Sequence, residues 1–284
     1  MDGVILINKP KDYTSHDIVN ITRKKLNIKK VGHTGTLDPN ATGVLPILIG
    51  TATKISKYLI EHKKEYIATI KLGEKTDTKD SEGTIIEKDL KLKEFDSDYV
   101  NKVLNSFTGR QKQIPPMYSS IKVNGKKLYE YARNGETVEV KPRDIEIYKI
   151  ELISYNKKDE IVFKVECSKG TYIRTLCEDI AAKLETLGYM KELIRTKVDK
   201  FDIEDCIELD NLNFENIKNN IISIEEIFSK KQKIDINDRK LELFLNGIKL
   251  TYNEKEDIYR IYNNSKFIGI GIVKNNLLKR DVVI

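Results

Sequence analysis

Cysteine and histidine are both scarce in this chain. The three cysteines, Cys167, Cys177 and Cys206, are odd in number, far apart and in no Cys-x-x-Cys pair, which argues against a disulfide framework and against a zinc site. The three histidines, His16, His33 and His62, stand at no metal-ligand spacing from one another, so no metal is expected. No apolar run approaches the roughly 18 residues of a membrane span. The opening MDGVILINKPK carries an acid ahead of a short apolar core, unlike a signal peptide, so a cytoplasmic protein is expected. A phosphate-binding loop is missing too: the glycine-rich stretch from Val31 to Gly50 lacks a Gly-Lys-Ser/Thr ending. There is no fixed-period repeat and no low-complexity tract beyond a lysine and asparagine bias.

What the chain does have is the makeup of a folded protein, 33% charged and 39% hydrophobic over 284 residues. That length allows one large domain plus a small appendage. The net charge is +6, unevenly spread: from Asp199 to Lys230 nine acids face three lysines, a local −6, which leaves +12 on the rest. A basic body with an acidic segment suits a polyanionic partner that touches part of the surface.

Periodicity supplies the elements. VILINKP reads as a strand ending in a turn, and Thr14 with Asp17 forms a capping box that opens a helix through Leu26. A second helix is predicted from about Thr53 to His62. EYIATIKLG alternates as a strand with Tyr66, Ala68, Ile70 and Leu72 on one face, and Val100, Val103, Leu104 and Phe107 have helical spacing. The stretch from Gln111 to Arg143 looks irregular. IVFKVECS reads as a strand, followed by a helix with an Ile173, Leu176, Ile180, Leu184, Leu187 stripe that Gly188 is expected to close. Short β-rich runs from about Lys233 to Ile284 predict a small β-domain.

Two residues stand out chemically. Asp38 lies among Gly32, Gly35, Pro39 and Gly43, where small residues let a substrate approach the backbone. Its carboxylate could serve as nucleophile or base; the plainer reading is an Asp-Pro turn initiator. Arg174 lies off the apolar stripe in the first turn of its helix, near the positive end of the dipole. An anion close by would explain that placement, and an arginine beside an aspartate keeps the carboxylate ionised.

The string GHTGTLDPNATGVLPI resembles the catalytic motif of the TruB pseudouridine synthases. Further resemblances follow in the family's order: NKPKDYTSHD, KEYIATIKLGEKTDTKDSEG, QIPPMYSSIKVNGKKLYEYAR, KGTYIRTL and ELIRT. They cover about residues 3 to 201, with a weaker likeness in the tail. Lys75 stands where arginine is common, Ser120 where alanine is common and Ile194 where a second arginine is common, which leaves local ion pairing open.

The resemblance implies an α+β fold, the pseudouridine synthase fold with a mixed, mainly antiparallel central sheet, over residues 1–230. It also implies an RNA-clasping insertion at about 111–143 and a small C-terminal β-rich, PUA-like RNA-binding domain over 231–284. It implies isomerisation of uridine 55 (tRNA numbering) in the T loop of tRNA, without a cofactor. By this likeness Asp38 attacks the flipped nucleoside at C1′ or at the uracil ring, Arg174 pairs with Asp38, and Tyr66, Tyr172 and Leu193 line the uracil pocket. His33 would contact the rearranged RNA loop, Lys9 and Pro10 would support the active-site loop, and Lys122, Lys126, Lys127 and Arg133 are candidate phosphate contacts. A monomer is expected. The rival reading is a tRNA-binding folding chaperone without chemistry, which would have no need of Asp38, Arg174 and Tyr66 together.

Overall fold

The computed structural model describes residues 1–60 and 62–284. Strand β1 (Gly3–Lys9) is apolar on both faces because both are covered. Val4 and Leu6 join one core, while Ile5 and Ile7 join another with Ile18, Val19 and Leu26 of helix α1 (Ser15–Leu26). The predicted capping box is present: Thr14 Oγ1 accepts from the Asp17 backbone N–H, and Asp17 Oδ2 accepts from that of Thr14 at 2.8 Å. Strands β2 (Val31–His33) and β3 (Thr42–Ile49) follow. The helix predicted over 53–62 is instead a 3₁₀ segment, Gly50–Ile55, running into a short α2 (Ser56–Ile60). Thr53 favours the tighter form there by occupying a backbone group locally: its Oγ1 donates to the Gly50 carbonyl at 2.8 Å.

Strand β4 (Lys64–Leu72) buries Tyr66, Ala68, Ile70 and Leu72, as its alternation predicts. A side hairpin, β5 (Glu74–Thr76) with β6 (Ile85–Lys88), precedes α3 (Ser97–Asn105) and β7 (Gly109–Gln113). The stretch read as irregular contains a minimal hairpin, β8 (Lys122–Val123) with β9 (Lys126–Lys127), and one short helix, α4 (Leu128–Arg133). Strands β10 (Arg143–Tyr155) and β11 (Glu160–Cys167), helix α5 (Ile173–Lys183) and strand β12 (Gly188–Val198) complete the frame with β13 (Phe201–Asp202) and β14 (Ile207–Glu208).

Gly188 does not close α5, which stops five residues earlier; it opens β12. A Cβ there would lie 2.5 Å from that of Ala181, so its absence lets helix and strand pack closely.

The main sheet runs β14-β1-β3-β12-β4-β11-β10-β7. It is mixed and mainly antiparallel, parallel at β1/β14 and β3/β12. The parallel β3/β12 contact brings residues 42–43 beside 194–195 and so unites the Asp38 loop with a strand 150 residues away in sequence. A second, five-stranded sheet is built from β15 (Lys233–Asp235), β16 (Leu250–Thr251), β17 (Asp257–Asn263), β18 (Lys266–Lys274) and β19 (Leu277–Val283). Its Ile270 and Val282 join Val4, Leu6, Val44 and Leu48 in one buried cluster, which fastens it to the body. Among the described residues no helix is long and apolar enough to cross a membrane.

Candidate active site

A cleft of about 670 Å³ opens beside the β3, β4 and β12 strands, bordered by the Asp38 loop, the first turn of α5 and the start of the clasp. Asp38 is held from two sides. Lys9, fully buried, donates from Nζ to the carbonyls of Pro10 at 2.8 Å, Tyr13 at 2.7 Å and Pro39 at 2.9 Å, tying β1 and the loop after it to the residue beside Asp38. Ser15 at the start of α1 accepts from the Leu37 N–H at 2.9 Å. The Ala41 N–H closes a turn on the Asp38 carbonyl at 3.1 Å. The Asp-Pro turn and the chemical candidate are therefore the same feature.

Arg174 uses all three guanidinium nitrogens. Nε meets Asp38 Oδ2 at 3.0 Å and Nη2 meets Oδ1 at 3.3 Å, a two-point pair. Nη1 lies 3.3 Å from Asp80 Oδ2, and Nη2 also donates to the Tyr118 carbonyl at 2.8 Å. Arg174 is a buried hub, its side chain only 6% exposed, whereas Asp38 is 35% exposed and opens to the cleft. Two carboxylates thus offset its unfavourable position near a helix N-terminus. Asp80 is itself fixed, accepting from Thr78 Oγ1 at 2.6 Å and from the Glu82 N–H at 3.1 Å.

The charges shape one another. Removal from bulk water raises the Asp38 pKa above the ordinary aspartate value; Arg174 is the largest opposing influence, Asp80 adds to the rise and Lys9 counters it. Burial lowers the Lys9 pKa to about 8, with Asp38 acting the other way. Burial pushes the Tyr66 phenol up to about 12, partly offset by Arg195.

Of the residues singled out from the sequence, Asp38, Arg174, Tyr66, Tyr172 and Leu193 all line the cleft, and Arg133 reaches it from the clasp. Tyr172 is set by a reciprocal pair: its N–H donates to Gln113 Oε1 at 2.8 Å and its carbonyl accepts from Gln113 Nε2 at 3.0 Å. His33 is not in the lining. It pairs with Ile47 across β2/β3, half-buried, and its Nδ1 has no hydrogen-bond partner. Lys122, Lys126 and Lys127 stand outside the cleft on the clasp, Lys126 over the Tyr131 ring at 4.4 Å and Lys127 over Tyr129 at 5.3 Å. Among the described residues no group of three or more His, Cys, Asp and Glu side chains is disposed to hold a metal ion.

Sequence reasoning missed Asp80 and Arg195. Asp80 sits in the TDTKDSEG run. Arg195 could have been found from an inverted pattern: in β12 Leu193 and Arg195 face inward while Ile194, 36% exposed, faces out.

The fold and this site define a pseudouridine synthase. The family model for the TruB family pseudouridylate synthase N-terminal domain matches residues 23–173, and that for the tRNA pseudouridylate synthase B C-terminal domain matches residues 174–226. Among curated proteins, tRNA pseudouridine synthase B of Clostridium tetani is 48% identical over 277 residues, covering 95% of each chain. Its counterpart in Caldanaerobacter subterraneus is 44% identical over 98% of each. Among solved structures, a chain from an H/ACA ribonucleoprotein bound to a substrate RNA containing 2'-deoxyuridine aligns with TM-score 0.71 at 24% identity. The alignment spans 99% of this chain and 85% of that one, a likeness of fold. The chain belongs to the TruB family of pseudouridylate synthases.

Proposed function

We propose that this protein converts uridine 55 (tRNA numbering) in the T loop of tRNA to pseudouridine, with Asp38 as the nucleophile. The observation that carries the reading is the Asp38 carboxylate, gripped at two points by Arg174 and open to a cleft of about 670 Å³. In the reaction the glycosidic N1–C1′ bond breaks and a C5–C1′ bond forms. The uracil loses its C5 proton and gains one at N1, so nothing is oxidised and no group is lost. Extruding the uridine costs roughly a few kcal/mol, and stacking on the Tyr66 ring returns about 1 to 3 kcal/mol. Tyr172 and Leu193 complete the pocket, and His33, outside the cleft lining, meets the rearranged RNA loop.

Residues 1–230 form the catalytic domain in this reading, with the 111–143 clasp gripping the T arm through Lys122, Lys126, Lys127 and Arg133. Such contacts position the RNA without specifying its sequence. Residues 231–284 act as a PUA-like RNA-binding domain, and the enzyme works as a monomer. The test is site-by-site mapping of pseudouridine in an unmodified tRNA transcript treated with wild type and with Asp38→Asn. Conversion at the T-loop uridine by wild type alone, with both proteins binding the tRNA, supports the proposal. Binding by wild type without conversion overturns it.

A further inference from the structure

Arg195 is among the largest side chains in the molecule to be fully buried, at 1% exposure. Burying a guanidinium is costly, and an apolar residue would fill the same space with less loss. Its hydrogen-bond partners are two backbone carbonyls rather than a carboxylate. Nε donates to the Val44 carbonyl at 2.8 Å and Nη2 to the Gly35 carbonyl at 3.1 Å, while the positive charge works against the burial-raised pKa of the Tyr66 phenol. Gly35 and Val44 bracket the loop that carries Asp38. Tyr66 is the Cα partner of Arg195 across β4/β12.

The backbone is cut to fit this arrangement. Gly43, with φ of +105°, lies so close to β12 that a Cβ would sit 2.2 Å from the Arg195 carbonyl oxygen; any side chain there would push the loop off the strand. The Asp38 loop and the Tyr66 strand have no neighbouring position in the sequence, and Arg195 joins them, bonded to the first and paired across the strands with the second.

We propose that Arg195 is the positioning residue that sets Asp38 against Tyr66: its guanidinium clips both ends of the Asp38 loop to β12 at the position paired with Tyr66, so that carboxylate and ring face the same nucleoside. The role rests on the function proposed above. It differs from that of Arg174, which touches the reactive carboxylate itself.

The experiment is single-turnover pseudouridine formation and tRNA affinity for wild type, Arg195→Lys, Arg195→Gln, Tyr66→Phe and the Arg195→Lys/Tyr66→Phe double variant, with thermal unfolding of each. Arg195→Lys should unfold cooperatively, bind tRNA with the wild-type Kd and convert it about 10²-fold more slowly, the loss that a small misplacement of reacting groups produces. The double variant should lose less than the product of the two single losses, because the two side chains are cross-strand neighbours that act on one alignment. Should Arg195→Lys fail to fold, Arg195→Gln and its pairing with Tyr66→Phe are read in the same way. A folded Arg195 variant that converts at the wild-type rate, or one slowed only as far as its binding is weakened, overturns the role. So does a double variant whose loss equals the product of the singles. No conversion by wild type overturns the reaction and this role with it, whereas conversion by wild type with full-rate Arg195→Lys overturns this role alone.

Discussion

The cleft floor and the clasp meet across one opening yet are built on opposite plans. In the floor, Lys9, Asp80, Arg174 and Arg195 are charged and almost completely buried, each held by several partners. In the outer part of the clasp, residues 120–143, Leu128 alone is buried, and the lysines lean on tyrosine faces at the surface. A buried charge network is costly to assemble but has one arrangement. A thin hairpin and a six-residue helix can adjust to a folded RNA at little cost. If floor and clasp serve chemistry and grip as proposed, the two are set by separate parts, which should therefore fail separately.

The sharpest way to test that separation is Asp38→Asn. Conversion should fall by a factor on the order of 10⁴ or more, measured by single-turnover assay, while the tRNA Kd stays within a few-fold. Because burial raises the Asp38 pKa, the folded chain holds this proton more tightly than the unfolded one does. The ionised form is therefore a net cost to stability above that pKa, and the variant should melt at or above the wild-type temperature at neutral pH. Arg174→Met comes next. It leaves Asp38 and Asp80 as neighbouring carboxylates without their shared cation, and calorimetry should show a loss of about 2 to 4 kcal/mol, held down by the openness of Asp38. In the proposed reaction Asp38 acts as its ion, which Arg174 favours. Removing it moves the acid limb of the pH–rate profile to higher pH; a limb that stays put or moves to lower pH would mean Asp38 is not the titrating group.

Much of the floor was legible because its signals are local. The Thr14–Asp17 capping box, the inward face of β4 and the Asp38 loop all lie within single windows of sequence. Arg174 was suspicious on local grounds as well, since a cation in the first turn of a helix needs an anion, and two are present. Arg195 and Asp80 were not legible in the same way, because their meaning depends on β12 crossing beside β3 and on Arg174 reaching a turn 94 residues earlier in the chain. Gly188 was misread for the same reason: its small size serves a contact between helix and strand, not a helix end. His33 lies on β2 outside the cleft lining, a placement that depends on β2 pairing with β3 and not on its local sequence.

The clasp gives the smaller effects. Replacing Lys126, Lys127 and Arg133 together with glutamine should weaken tRNA binding and flatten the slope of log K against log salt by about 0.7 to 0.9 for each phosphate no longer neutralised. At saturating tRNA the conversion rate should be unchanged. A fall in that rate would show that the clasp takes part in the chemistry and would erase the distinction drawn above.

Leu128→Ala tests the distinction most finely. A fully buried leucine cut back to alanine removes about 2 to 5 kcal/mol of local packing, and Leu128 is the one buried residue between 120 and 143. The segment's backbone anchors are the Leu128 N–H on the Ile121 carbonyl at 2.8 Å and the Tyr129 N–H on the Ser119 carbonyl at 3.1 Å. If the clasp opens as a unit separate from the floor, hydrogen exchange should quicken from about 119 to 136 and nowhere in β4 or β12. The global melting temperature should hardly move, and the Kd should rise only as far as the clasp must be re-ordered on binding. A melting temperature that falls by the full core penalty would instead mean that clasp and floor unfold together, and the two regions would be one cooperative body.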